Sequence, residues 1–224
     1  MENSSLTSLI SCLENLRTLV VYDSIYACNT LFFSHIVPFF SSKNLYIAVY
    51  SESMCRRLRK MYNSLLKVNP DITRVLNKAN VIKIGCRNNI PFGRFYEFIP
   101  EDDWYKKLVE IVDGLGEDDL LILHGFSLIP ALGSKRDLLN YIKVLDTLHD
   151  DVTVIGRFVR DLYSQDITRL IERYYDVTID IKKDEIGCDE CYVLSINQSL
   201  IVDIKPRTIG RFKIWDYRFV EYQL

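Results

Sequence analysis

The sequence predicts an α/β protein built on a mostly parallel, doubly wound sheet, with helices on both faces and a C-terminal antiparallel extension. Three observations predict it. Short apolar runs rich in Val, Ile and Leu alternate five times with amphipathic, helix-length segments between residues 18 and 175, the pattern of βα units joined by crossovers. From residue 177 the pattern changes to consecutive alternating runs separated by turns, as in an antiparallel meander. A chain of 224 residues with 48% hydrophobic and 26% charged residues is long enough to form one domain with a full core. The expected organisation is a single domain over 1–224: an N-terminal helix in 1–16, a βα core in 17–175, and a β-meander with an aromatic tail in 176–224.

Taken in order, residues 8–16 place Leu9, Leu13 and Leu16 on one side of a short amphipathic helix. Residues 18–22 are β-branched enough for a buried strand, and 31–40 suit a buried helix, with a turn over 23–30 between them. Residues 45–50 (LYIAVY) are the second strand. Ser51-Glu52-Ser53 then caps a helix running to about Lys67, with Met54, Leu58, Met61 and Leu65 on one face. Asn69-Pro70-Asp71 breaks the chain before a short helix over 72–78. Residues 81–84 give the third strand. An irregular segment over 85–103, punctuated by Gly85, Pro91, Gly93 and Pro100, precedes a helix over 103–112. Residues 120–123 and 152–155 read as the fourth and fifth strands, with a helix over 134–148 between them. A polar stretch over 156–164 and a helix over 165–175 follow. The meander is expected in 177–181, 191–196 and 200–204.

Composition excludes several classes. The net charge of −2 exerts no global pull on nucleic acid or anionic membrane. Apolar stretches reach only about ten residues, too few for a membrane span. The N-terminus carries Glu2 and no basic region, unlike a secretory signal, so the cytoplasm is the expected location. Of the six cysteines, only Cys188 and Cys191 are close in sequence. One C-x-x-C without a second pair or a nearby His is a poor zinc signal. It reads as two structural thiols in a turn, with a local disulfide or a redox role as the alternative. His35, His124 and His149 are too scattered to form a metal site, and no cofactor is expected.

Strand, eight-residue turn, helix over 17–40 is the layout of a phosphate-binding loop, G-x-x-x-x-G-K-[ST]. Laid on this chain, the two glycines fall on Asp23 and Cys28, the Lys on Asn29 and the hydroxyl on Thr30. Only the hydroxyl survives, so Asp23, Asn29 and Thr30 are doubtful nucleotide ligands, and Thr30 reads equally as a first-turn helix residue. In an open parallel sheet the site lies outside the carboxyl ends of the strands, which here carry Asp23, Glu52, Gly85 and His124. Basic residues offer a further patch: Arg56, Arg57, Arg59 and Lys60 on one helix, and Arg87 and Arg94 among the aromatics of 85–103. Basic–aromatic mixing suits single-stranded nucleic acid, and a solvated helix face explains the same charges.

The layout resembles the RecA/KaiC-like core of the P-loop ATPases over about residues 17–213. It is most similar to a small archaeal, Pyrococcus-type family that keeps this core without a working phosphate loop. The resemblance implies that Glu52, after the second strand, stands where the catalytic base does. It places His124 where the family has the Asp linked to Mg²⁺, and a histidine cannot do the same job as a carboxylate. It matches Lys205 and Arg207 to the K-x-R that reaches a neighbouring subunit, making them interface candidates. The expected function is a non-catalytic RecA-like domain acting as a binding or partner subunit in a homo- or hetero-oligomer. The alternatives are a divergent ATPase or small-molecule enzyme using Glu52, His124 and Asp23, and a nucleic-acid-binding recombinase accessory protein using Arg56, Arg57, Arg87 and Arg94.

Overall fold

The computed structural model describes residues 4–160, 162–186 and 190–222. Seven parallel strands, β1 (Arg17–Tyr22), β2 (Asn44–Tyr50), β3 (Asn80–Gly85), β4 (Arg94–Pro100), β5 (Asp119–His124), β6 (Thr153–Val159) and β7 (Val177–Lys183), lie in the spatial order β7-β1-β6-β5-β2-β3-β4. β8 (Cys191–Ser199), β9 (Arg207–Trp215) and β10 (Arg218–Glu221) extend the same sheet beyond β7 as antiparallel neighbours. The central strands read as unbroken apolar runs because both of their faces are covered. On one face Val20, Ile47 and Ile122 pack under α1 (Ser4–Ser11), α2 (Ile25–Leu31), α3 (Val37–Phe39), α4 (Glu52–Val68) and α5 (Pro70–Leu76). On the other face Leu19, Leu121 and Val154 pack under α6 (Trp104–Val112), α7 (Leu128–Leu132), α8 (Lys135–Thr147) and α9 (Gln165–Glu172). The fold class expected from the sequence is the one observed.

Local chemistry sets the element ends. Ser134 and Asp137 form a reciprocal capping box at the start of α8. Asn69 caps α5 by accepting from the Ile72 N–H, with Pro70 in the first turn. Asp216 and Tyr217, both at positive φ (47° and 57°), form the two-residue turn joining β9 to β10, as that hairpin geometry requires.

Several expectations need correction. The first helix starts earlier, at Ser4. The turn expected over 23–30 is helical from Ile25: Ser24 accepts from the Ala27 N–H and starts α2 two residues after β1. That helix continues through a π turn (Phe32–Ile36) into α3. The irregular segment over 85–103 contains β4, the sheet's outer parallel strand, paired with β3. Its mostly exposed residues hide the burial pattern of a strand. The polar stretch over 156–164 begins inside β6, where Gly156, Arg157 and Phe158 are buried. Residues 200–204 form a turn, and the strands after it are β9 and β10. Cys191 is disulfide-bonded rather than a free thiol, and Cys188 lies outside the described residues. Among the described residues, no helix is long and apolar enough to cross a membrane.

Candidate functional site

The most unusual group at the strand ends is Arg157, which no sequence motif singles out. It sits on β6 opposite Val20 of β1 and is only 2% exposed. Its Nε donates to Cys28 Sγ at 3.3 Å, its Nη2 to Asn29 Oδ1 at 2.7 Å and its Nη1 to His124 Nδ1 at 2.7 Å. The guanidinium also lies 4.6 Å from the Phe32 ring centre and 5.7 Å from that of Tyr22, close enough for cation–π attraction. Arg157 thus ties β5, β6 and α2 together where they converge. Among the described residues it has no acidic partner. The sequence signal was an Arg two residues after the apolar Ile155, easily read as lying beyond the strand's end.

A guanidinium only donates, so the Nδ1 of His124 must accept and its proton must sit on Nε2. That Nε2 is buried and has no hydrogen-bond partner. Burial, together with the nearby charges of Arg157 and Arg57, holds the imidazole well below its usual pKa, which keeps it neutral. Burial pushes the Cys28 thiol up, against the pull of Arg157, and burial followed by the proximity of Cys28 raises Tyr22 to about 12.

Glu52 is turned away from this centre. Its Oε1 accepts from the wholly buried Lys83 at 3.0 Å and from the Arg87 N–H at 3.0 Å. Lys83 also donates to the Ile84 carbonyl at 2.8 Å. Partial burial alone would raise the Glu52 carboxyl, but Lys83 and the backbone donors outweigh it and lower the pKa. Gly85 leaves room for the pair, since a Cβ there would lie 2.9 Å from Glu52 Oε1. The preceding Ser51 holds φ 76° and ψ 156°, a region costly for any residue but Gly. It is fixed by its N–H to the Ile84 carbonyl at 3.1 Å and by capping Met54.

Asp23 is likewise engaged. Arg160 joins Asp23 to the buried Asp180, which also accepts from Asn197 at 2.8 Å and faces Lys182 at 3.2 Å. Thr30 donates to the Tyr26 carbonyl at 3.0 Å, so its hydroxyl serves the helix.

The structure thus brings Asn29 and His124 together through Arg157, while Glu52 and Asp23 belong to separate ion-pair groups. Arg56 and Arg57 are exposed on α4, and Arg57 reaches the rim of a cleft above Arg157. Arg87 lies beside the start of α4, but Arg94 starts β4 at the opposite end of the sheet, with its N–H on the Ala79 carbonyl. The four arginines do not form one patch. Lys205 and Arg207 are exposed at the start of β9, three strands from β1. Among the described residues no three His, Cys, Asp or Glu side chains converge as metal ligands.

No family model and no curated protein matches this chain. Solved structures do. A structural-project protein from Pyrococcus horikoshii OT3 superposes with a TM-score of 0.67 at 19% identity, covering 90% of this chain and 96% of its own. The flagellar accessory protein FlaH from Methanocaldococcus jannaschii gives 0.61 at 11% identity, covering 100% and 97%. The RadB recombinase gives 0.56 at 11% identity, covering 98% and 97%. The fold is RecA-like. A KaiC-like protein from Pyrococcus horikoshii OT3, at 0.58 and 14% identity over 94% of this chain, agrees with that assignment. At such identities the likeness is one of fold.

Proposed function

We propose that this RecA-like domain acts by binding, as a partner subunit in a homo- or hetero-oligomer of RecA-like subunits, and does not transfer phosphoryl groups. One observation carries the reading: the stretch that would wrap a nucleotide's phosphates is a two-residue turn followed directly by helix from Ile25. Phosphate wrapping needs consecutive backbone N–H groups turned inward and close approach of the chain. Here the Cys28 N–H is used within the helix by the Ser24 carbonyl. The remaining parts point the same way. Glu52, in the place of a general base, is committed to Lys83. His124, in the place of a carboxylate metal ligand, is neutral with Nδ1 occupied by Arg157. The residues present do not fit a Mg²⁺-nucleoside triphosphate. On the partner side, β4 is an open edge with Phe95 and Tyr96 exposed, and Lys205 and Arg207 stand exposed at the start of β9.

The test is calorimetry with ATP and ADP in the presence of Mg²⁺, on protein whose mass in solution has been measured by light scattering. The expected result is no binding at millimolar nucleotide, with a mass above that of one chain or capture of a RecA-like partner. Micromolar nucleotide binding would overturn the non-catalytic half of the proposal. A clean monomer with no captured chain would overturn the partner half.

A further inference from the structure

The cleft above Arg157 is outlined by α2, α4, α7 and the carboxyl ends of β1, β5 and β6, and measures about 470 Å³, within the range of small-molecule sites. Its walls are mostly apolar, with Tyr22, Met54 and Leu128 among them, and its charged and polar side chains include Arg157, His124, Arg57 and Asp23, the last already paired with Arg160. Two features of these groups remain unexplained by the fold. Arg157 is a buried cation whose three hydrogen-bond partners, Cys28, Asn29 and His124, and ring neighbours, Tyr22 and Phe32, are all uncharged, and a buried charge is costly unless a counter-charge meets it. Covalent chemistry leaves one N–H on each of its Nη atoms beyond those three bonds. The second feature is the His124 Nε2–H, a buried donor without an acceptor, which is equally costly. Both are answered by one missing partner: an acceptor that carries negative charge. Asp23 does not fill that role, because it is held by Arg160.

We propose that the cleft binds a small organic monoanion, a carboxylate on an apolar body, with its head on Arg157 and the His124 Nε2–H and with Arg57 as a second cation at the rim. One buried positive charge matches a single negative charge. The apolar walls ask for a hydrocarbon or aromatic body, which inorganic anions lack. The cleft shares Asp23 and His124 with the place a phosphate-loop layout would give a nucleotide, but the ligand proposed is of a different kind and goes beyond the partner-subunit reading.

Benzoate is the first probe, with inorganic phosphate and ATP as comparisons, followed by calorimetry and by ¹⁵N-histidine spectra, in which only three residues appear. The expected result is a benzoate Kd of about 1 mM or tighter, a shift confined to the His124 Nε2 signal, and no shift with phosphate. Arg57 is exposed, so Arg57→Glu leaves the fold intact. It is expected to weaken benzoate about tenfold at an unchanged melting temperature. No saturable benzoate binding, an unmoved His124 signal, or wild-type affinity in Arg57→Glu would each overturn the proposal. A His124 response to phosphate or ATP equal to that with benzoate would overturn the assignment of a monoanion with an apolar body.

Discussion

Replacing Glu52 separates a structural ion pair from a catalytic base. Lys83 is wholly buried, with Nζ 3.0 Å from Glu52 Oε1 and 2.8 Å from the Ile84 carbonyl. Removing one partner of a fully buried pair costs about 3–5 kcal/mol, because the other charge is stranded. Glu52 keeps 36% of its side chain in water, and Gln retains an acceptor oxygen for Lys83 and Arg87. The cost of Glu52→Gln should therefore fall to about 1–2 kcal/mol. For a chain of this size that is a drop of about 3–6 °C in melting temperature. Lys83→Met removes the stranded charge at similar volume and leaves Glu52 free to face water, so it should be neutral to within about 1 kcal/mol. The double variant should match Lys83→Met, giving a large coupling in the cycle. Urea is the denaturant of choice, since guanidinium chloride screens the ion pair under test. If Glu52→Gln unfolds at the wild-type midpoint, Lys83 is not held by Glu52 and the structural account of this carboxylate is wrong.

Gly156→Ala would place a Cβ 2.7 Å from Tyr175 Cζ, in a core with no room to shift, and should cost about 1–3 kcal/mol in urea unfolding. Tyr141→Phe removes the 2.6 Å partner of the buried Tyr175 hydroxyl and should cost about 1–2 kcal/mol, whereas the Tyr141→Phe/Tyr175→Phe double variant should recover part of that loss. His35 accepts from the Phe219 N–H at 3.0 Å, and burial first, then Arg218, lowers its pKa from 6.5 to about 4. The folded chain therefore binds this proton less readily than the unfolded one, and the stability it contributes is present above pH 6.5 and lost as pH falls towards 4. Urea midpoints of the wild type should decline across that window, and those of His35→Gln should decline less.

Periodicity and capping chemistry made much of this fold legible in the sequence. β2, β3 and β5 are short runs dominated by buried apolar residues, and Ser51 and Ser134 mark the starts of α4 and α8 where the chain turns. The elements that stayed hidden broke those patterns for a physical reason. β4 is an outer strand with most of its side chains in solvent, so it shows little hydrophobic signal. β6 looked finished at Ile155 because Gly156 and Arg157 follow. Yet Gly is there to admit the Tyr175 ring, and Arg is there to reach α2. The signal for β9 was present: Phe212 and Ile214 are buried, between the exposed Lys213 and Trp215, in strict alternation. At the site, Glu52, Asp23 and His124 were found by their strand-end positions. Their partners Lys83 and Arg157 lie on other strands and Arg160 just past the end of β6, and only the folded sheet brings them together.

Those three partnerships give the strand ends their character. Two carboxylates that a phosphotransfer centre would keep free for a metal or a water are each tied to a cation: Glu52 to Lys83, and Asp23 to Arg160, which also reaches Asp180. A carboxylate whose lone pairs are already used by a cation is a poor base. Arg157 is the converse case, a cation that meets a thiol, an amide oxygen, a neutral imidazole and the rings of Phe32 and Tyr22, all of them uncharged. Among the described residues, the buried charge at this end of the sheet without a counter-charge is therefore positive and next to the cleft, with the exposed Arg57 at its rim. Under the binding role proposed above, these committed carboxylates leave Arg157 as the group at the strand ends best placed to receive negative charge.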